Sequence, residues 1–164
     1  MGAFGGLILT NRGRNLQAKS QAGVQLKFTR IAIGDGLLNG ASIVDLNALR
    51  NERKTLSINK LNVFTNRATV GAILRNQDVP IGFYFREIGL FALDPDIGEI
   101  LYCYGNADQN AEFIPSGGGA DIIEKSIDIN AIIGNASSIT AIIDESLIFM
   151  PRGPLTWNQL EGLE

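Results

Sequence analysis

A chain of 164 residues, 45% apolar and 19% charged, has the size and make-up of one globular domain able to bury a core. A net charge of −3 without any cluster of Lys or Arg argues against a nucleic-acid partner, and no apolar run is long enough for membrane insertion. There is no histidine, so the commonest general base and metal ligand is missing, and the single cysteine, Cys103, allows neither a disulfide framework nor a tetrahedral zinc site. This composition points to a protein that is not an enzyme, with no catalytic residues, no cofactor and no metal. The lone cysteine fits synthesis in a reducing cytoplasm, and Met1–Leu9 lacks the basic start of a signal peptide.

Residues 1–9 are small and apolar, suited to an edge strand or an arm lying on a neighbour. Thr10 offers an N-cap for a helix over Asn11–Ala22, with Gly23 as its stop. Leu16 is the only large apolar residue of that helix, so a solvated helix is expected; its Arg12, Arg14 and Lys19 would alternatively dock on an acidic partner. Leu26–Ile33 reads as a strand ending in Gly34-Asp35-Gly36, where a tight turn with positive φ is expected. That tripeptide lacks the further glycines and the Lys of a phosphate cradle. Ser42–Arg50 reads as a second short helix, capped by Ser42, with Asp45 in its first turn and Ile43, Leu46 and Leu49 as its buried stripe.

Thr55–Phe64 and Arg67–Arg75 form an expected antiparallel pair around Thr65-Asn66. The apolar phase slips between Leu56, Ile58 and Leu61, Val63, which predicts a bulge near Asn59-Lys60. Asn76–Ile81 reads as a loop. Next comes Gly82-Phe83-Tyr84-Phe85-Arg86-Glu87-Ile88-Gly89-Leu90-Phe91, read as one strand covered on both faces, with Phe83, Phe85, Glu87, Gly89 and Phe91 sharing one side. Arg86 and Glu87 put a charge at the centre of each face. Buried charges need partners, either inside the fold, as an ion pair or hydrogen bonds to loop backbone, or on another subunit. Both are expected to hold the strand in register.

Asp94–Gly98 is a hairpin loop into Glu99–Tyr104, where Cys103 reads as a small core residue. Gly105–Ala120 is the longest irregular stretch and is expected to order against another subunit. Asp121–Ile133 alternates cleanly, Gly134-Asn135 reads as a hairpin turn, and Ser138–Asp144 as the return strand. Pro151-Arg152-Gly153-Pro154 reads as a linker, after which Trp157 and Leu160 open a new segment in need of cover. The expected layout is therefore one domain over residues 1–150 and a linker with the start of a further segment over 151–164. The fold class is mainly β (α+β): an antiparallel β-sandwich of about seven or eight strands with two short helices.

Three stretches in this order resemble the N-terminal domain of phage tail-collar fibre proteins: Leu9-Thr10-Asn11-Arg12-Gly13, then Ile31-Ala32-Ile33-Gly34-Asp35-Gly36, then the aromatic Arg-Glu-Ile-Gly strand from Gly82 to Phe91. The likeness spans roughly residues 5–145. It implies a structural virion protein at the attachment end of a tail fibre, a homotrimer docked on a baseplate or tail-tip protein and possibly carrying a downstream receptor-binding protein. It marks Gly34, Asp35, Gly36, Arg86, Glu87 and Gly89 as structural or interface residues, joined by Trp157 from the terminal segment. Two other readings are open from the residues: a carbohydrate-binding module using Tyr102, Tyr104, Asn106 and Asp108, and a wall hydrolase on carboxylates such as Glu99 and Asp108, which have no perturbing neighbours in sequence.

Overall fold

The computed structural model describes Phe4 and residues 6–143. Trp157 and the linker at 151–154 lie outside these residues. The chain runs β1 (Ile8–Leu9), α1 (Asn11–Gln21), β2 (Leu26–Gly34), β3 (Glu52–Leu56), β4 (Ile58–Phe64), β5 (Arg67–Arg75), β6 (Phe83–Phe85), β7 (Glu87–Asp94), β8 (Gly98–Asn106), β9 (Glu112–Ile114), β10 (Glu124–Ile132) and β11 (Ile139–Ala141). The fold is mainly β, with a six-stranded sheet ordered β1-β8-β7-β2-β11 and β3 also on β2, a three-stranded sheet β10-β5-β4, and a ribbon β6-β9. Among the described residues one α-helix forms rather than two, and no helix is long and apolar enough to cross a membrane.

The second expected helix fails at its start. Ser42 makes no side-chain cap, and only the 3-10 turn Ile43–Asp45 forms before the backbone becomes extended at Leu46. Leu46 and Leu49 are nevertheless buried, against Ala32, Phe91, Leu101 and Tyr104. The stripe was real, but an irregular loop delivers it. That loop covers one face of the large sheet, while the other face shares a core with the three-stranded sheet: Phe28, Ile31 and Leu90 from one, Val70, Ile127 and Ile129 from the other. β7 is thus buried on both sides, which explains its unbroken apolar run.

Local signals set several joints. The expected bulge lies between Ile58 and Lys60 of the β4–β5 pair. Thr55 and Leu56, however, belong to β3, which pairs with β2; the chain changes sheets at Ser57. β11 departs further from expectation. It pairs in parallel with β2 instead of returning along β10, although Gly134 adopts the positive φ of a turn, +60°. The 105–120 stretch is also less irregular than it reads. β8 continues to Asn106, β9 pairs with β6, and Asn76 holds Asp121 and Ile123 through its side chain.

Helix α1 closes the edge of the large sheet. Thr10 caps it by accepting from the Gly13 N–H at 2.9 Å, while its own hydroxyl donates to the Leu101 carbonyl and its N–H donates to Tyr102 at 3.1 Å. Leu16 is fully buried, which stabilises the docked helix by roughly 1.5–3 kcal/mol. At the far end Lys19 reaches Asp94 at 2.8 Å and Asp96 at 2.8 Å. The helix expected to be solvated is therefore docked, and the acidic surface that receives its lysine belongs to its own chain.

Gly13 sits so close to β8 that a Cβ there would stand 2.1 Å from the Tyr102 carbonyl oxygen. Replacing a helical glycine by alanine normally gains about 1 kcal/mol. Here backbone faces backbone and neither can yield, so Gly13→Ala is expected to cost about 2 kcal/mol net in urea unfolding, since overpacking of this kind outweighs propensity. Unchanged or increased stability would place α1 farther from β8.

Burial by itself would raise the Asp94 carboxyl, but the Lys19 ammonium and the N–H groups of Asp96 and Ile97 outweigh it and hold Asp94 below its usual value. A depressed folded value means that its contribution is present above the unfolded carboxylate value near 3.9 and is lost as pH falls through the lower folded one. Wild type should therefore exceed Asp94→Asn in urea midpoint at pH 7, and the gap should close below about pH 4. A gap independent of pH would remove the charge from the explanation.

Candidate functional site

Two of the sequence motifs meet at one carboxylate. The stretch Gly82–Phe91 is not one strand, because the chain breaks step at Arg86. The Arg86 N–H donates to the Gly34 carbonyl at 2.9 Å and its carbonyl accepts from Ala107 at 2.7 Å. The break also reverses the expected faces. Phe83 and Phe85 point into the main core, whereas Phe91, beyond the break, joins the loop-covered cluster on the other side.

Glu87 begins β7 and is completely buried. Its Oε2 accepts from the N–H groups of Gly36 at 3.0 Å and Asn51 at 2.7 Å, and its Oε1 accepts from the Arg50 N–H at 2.8 Å and the Tyr104 hydroxyl at 2.6 Å. Among the described residues no Lys or Arg lies within ion-pair distance of it. Its negative charge is met by three backbone dipoles and a phenol, since hydrogen bonds to an ionised acceptor are about twice as strong as neutral ones. Burial, and then the bond to Glu87, push the Tyr104 hydroxyl well above its ordinary value, so it stays protonated and donates. Asn106 completes the set by donating to the Tyr104 oxygen at 2.9 Å and to the Gly36 carbonyl at 3.0 Å.

The glycines of Gly34-Asp35-Gly36 serve this cradle rather than a positive-φ turn. Neither adopts positive φ. A Cβ on Gly34 would stand 2.2 Å from the Asn51 carbonyl and 2.6 Å from Glu87 Oε2; on Gly36 it would stand 2.4 Å from Arg50 Cβ. Asp35 turns outward to accept from Asn51 Nδ2 at 2.7 Å and to pair with Arg53 at 3.2 Å, which fixes the entry to β3, where Asn51 supplies its N–H. Gly89 leaves room for Leu49 and Leu101, whose methyl groups would lie 2.8 and 2.6 Å from a Cβ there.

Arg86 is placed differently. It pairs with neither Glu87 nor any other described carboxylate; its Nε is buried without a hydrogen-bond partner among the described residues, and its guanidinium carbon lies 5.5 Å from the Tyr84 ring. Of the suggested sugar-binding set, Asn106 bonds Tyr104 and accepts from the Asp108 N–H, but neither tyrosine presents a ring to solvent. Tyr102 and Tyr104 are both fully buried and, because a bulge falls between Leu90 and Phe91 in the β7–β8 register, they enter opposite cores. Cys103 is buried, and desolvation pushes its thiol up to about 12, as expected of a core residue. Glu99 is engaged with Thr29 and Arg30 at the surface, and Asp108 lies in a separate 3-10 turn. Sequence reading missed Arg50, Asn51 and Tyr104 as partners of Glu87. Two of them act through backbone N–H groups, which leave no side-chain signature.

Glu87→Ala would strand three N–H groups and a hydroxyl, each worth about 1–3 kcal/mol when left unpaired in the interior. A loss of about 4 kcal/mol or more is expected by urea unfolding, and about 2–3 kcal/mol for Glu87→Gln, which puts an amide NH2 against donors. Arg86→Ala, which strands no carboxylate, should stay within about 1 kcal/mol of wild type. The reverse order would mean that Arg86 is the buried partner.

The family model for the phage tail-collar fibre protein, N-terminal, matches residues 3–153, and the chain belongs to this family. The family comprises structural domains of phage tail fibres, components of the virion tail. No curated protein and no solved structure matches the chain.

Proposed function

We propose that this member of the tail-collar fibre family is the attachment domain that fixes a tail fibre, or a receptor-binding protein carried by it, to the baseplate or tail tip. The observation that carries the reading is the family match over residues 3–153, together with the finding that two of the motifs behind it converge on Glu87. Buried polar contacts there lock the 36–51 loop onto the large sheet, a construction suited to bearing load rather than to turnover. We read the two larger sheets, whose inner faces share one core, as a sandwich that presents its loops and edges to neighbouring proteins. The domain works as a homotrimer made in the host cytoplasm, residues 1–150 form the joint, and Trp157 begins the segment leading toward the fibre.

Host attachment is then indirect: the domain transmits force and holds position while another part touches the cell. Obligate contacts of this kind bury on the order of 2,000 Å² or more. Sedimentation equilibrium of the purified chain should return a trimer, and the chain should cosediment with tail particles that lack their fibres. A monomer at all concentrations that leaves such particles bare would contradict the reading.

A further inference from the structure

The ribbon β6–β9 has two unlike faces. Phe83, Phe85 and Ile114 point inward and are buried. The outward row is Gly82, Tyr84 and Arg86. Phe113 of β9 lies across Gly82, where a Cβ would come within 2.7 Å of its ring, and it meets Tyr84 edge-on with ring centroids 5.1 Å apart. The Arg86 guanidinium carbon lies 5.5 Å from the centroid of the Tyr84 ring. Tyr84 and Phe113 are each 49% exposed, and neighbouring Ile81 is 67% exposed.

This row differs from ordinary surface in two independent ways. It gathers apolar and aromatic side chains that the fold does not cover, although nearby Phe83 and Phe85 show that the ribbon has a core to bury them in. It also holds a guanidinium with no counter-ion among the described residues and with a buried Nε that no described acceptor reaches. Buried donors are rarely left unpaired. Tyr and Arg are the residues that concentrate binding energy at protein interfaces. The row is also held ready, because Arg86 is clamped through its own backbone to Gly34 and Ala107, which lowers the ordering cost of binding.

We propose that Arg86, Tyr84 and Phe113 form the anchor by which the domain grips a partner protein of the tail. The partner brings a carboxylate to the Arg86 guanidinium and an apolar side chain onto the two rings. Charge complementarity selects this occupant: a cation without a counter-ion beside uncovered rings matches an acidic, apolar segment. A sugar fits less well, because the rings meet at 66° and do not make the flat platform on which a pyranose stacks. The inference rests on the attachment reading and names the face that performs it.

Tail particles purified without their fibres are the probe, and binding of the full chain is measured by cosedimentation. Wild type is expected to bind. Arg86→Glu should weaken binding at least tenfold, and the double variant Tyr84→Ser, Phe113→Ser by a similar factor. Phe64→Ser, at the still more exposed β4–β5 turn, should leave it unchanged. Circular dichroism melting shows which variants are folded; if Arg86→Glu is not, the double variant decides. Folded variants that bind like wild type overturn the proposal and leave attachment standing. Wild type that does not bind removes the attachment reading and this inference with it. Binding of wild type to a glycan array that the double variant loses would make the face a sugar site and overturn the proposal.

Discussion

The molecule is organised around a carboxylate taken out of water without a cation to accompany it. Burying an ion costs several kcal/mol unless hydrogen bonds replace its hydration. Glu87 recovers this through four donors from three separate parts of the chain: the loop after β2, the entry to β3, and β8. Further bonds tie the same segments together, Asp35 to Asn51 and Arg53, and Asn106 to the Gly36 carbonyl, but Glu87 is the one group that all three donate to. The 36–51 loop has no regular structure beyond a single 3-10 turn, yet it is held firmly enough to roof one face of the large sheet with Leu46 and Leu49. Backbone donors also leave the surrounding side chains free of compensating charge, so the site needs glycine at Gly34 and Gly36 for the chain to come close.

The same economy appears at the sheet edge. An uncovered edge strand invites pairing with other chains. Here Thr10 and Gly13 place the first turn of α1 against the carbonyls of Leu101 and Tyr102, while β1 pairs farther along β8. The motif Leu9-Thr10-Asn11-Arg12-Gly13 is thus a device for docking a helix start on a strand. The motif around Gly34 and the one around Glu87 are two halves of one contact. What makes these stretches recognisable together is that each is a place where backbone approaches backbone or a buried charge, and where substitution has little room.

Legibility in the sequence followed the physics of each segment. Period-two alternation in Asp121–Ile133 gave β10 because one face meets the core and the other water. The phase slip at Asn59-Lys60 revealed a bulge because registry must be restored after an extra residue. The cap and stop of α1 were visible because capping is local: Thr10 bonds Gly13, and Gly23 has φ +116°. Non-local choices were not visible. Nothing in Ser138–Asp144 tells a strand to join β2 in parallel instead of returning along β10. The break at Arg86 was hidden because both halves are aromatic and β-prone, and it is imposed by Gly34 and Ala107. At the site, the need of Glu87 for a partner could be read, including the option of loop backbone. The identity of the donors could not, since an N–H is common to nearly every residue.

Amide hydrogen exchange tests the central claim most directly. If the buried carboxylate pins the loop to the sheet, the N–H groups of Gly36, Arg50 and Asn51 are protected in the native protein. In Glu87→Ala they should exchange at rates near those of an open loop, while amides of the β5–β10 pair keep most of their protection. Rapid exchange of all three in the unmodified protein, or protection that survives loss of the carboxylate, would show that the loop is held by something else.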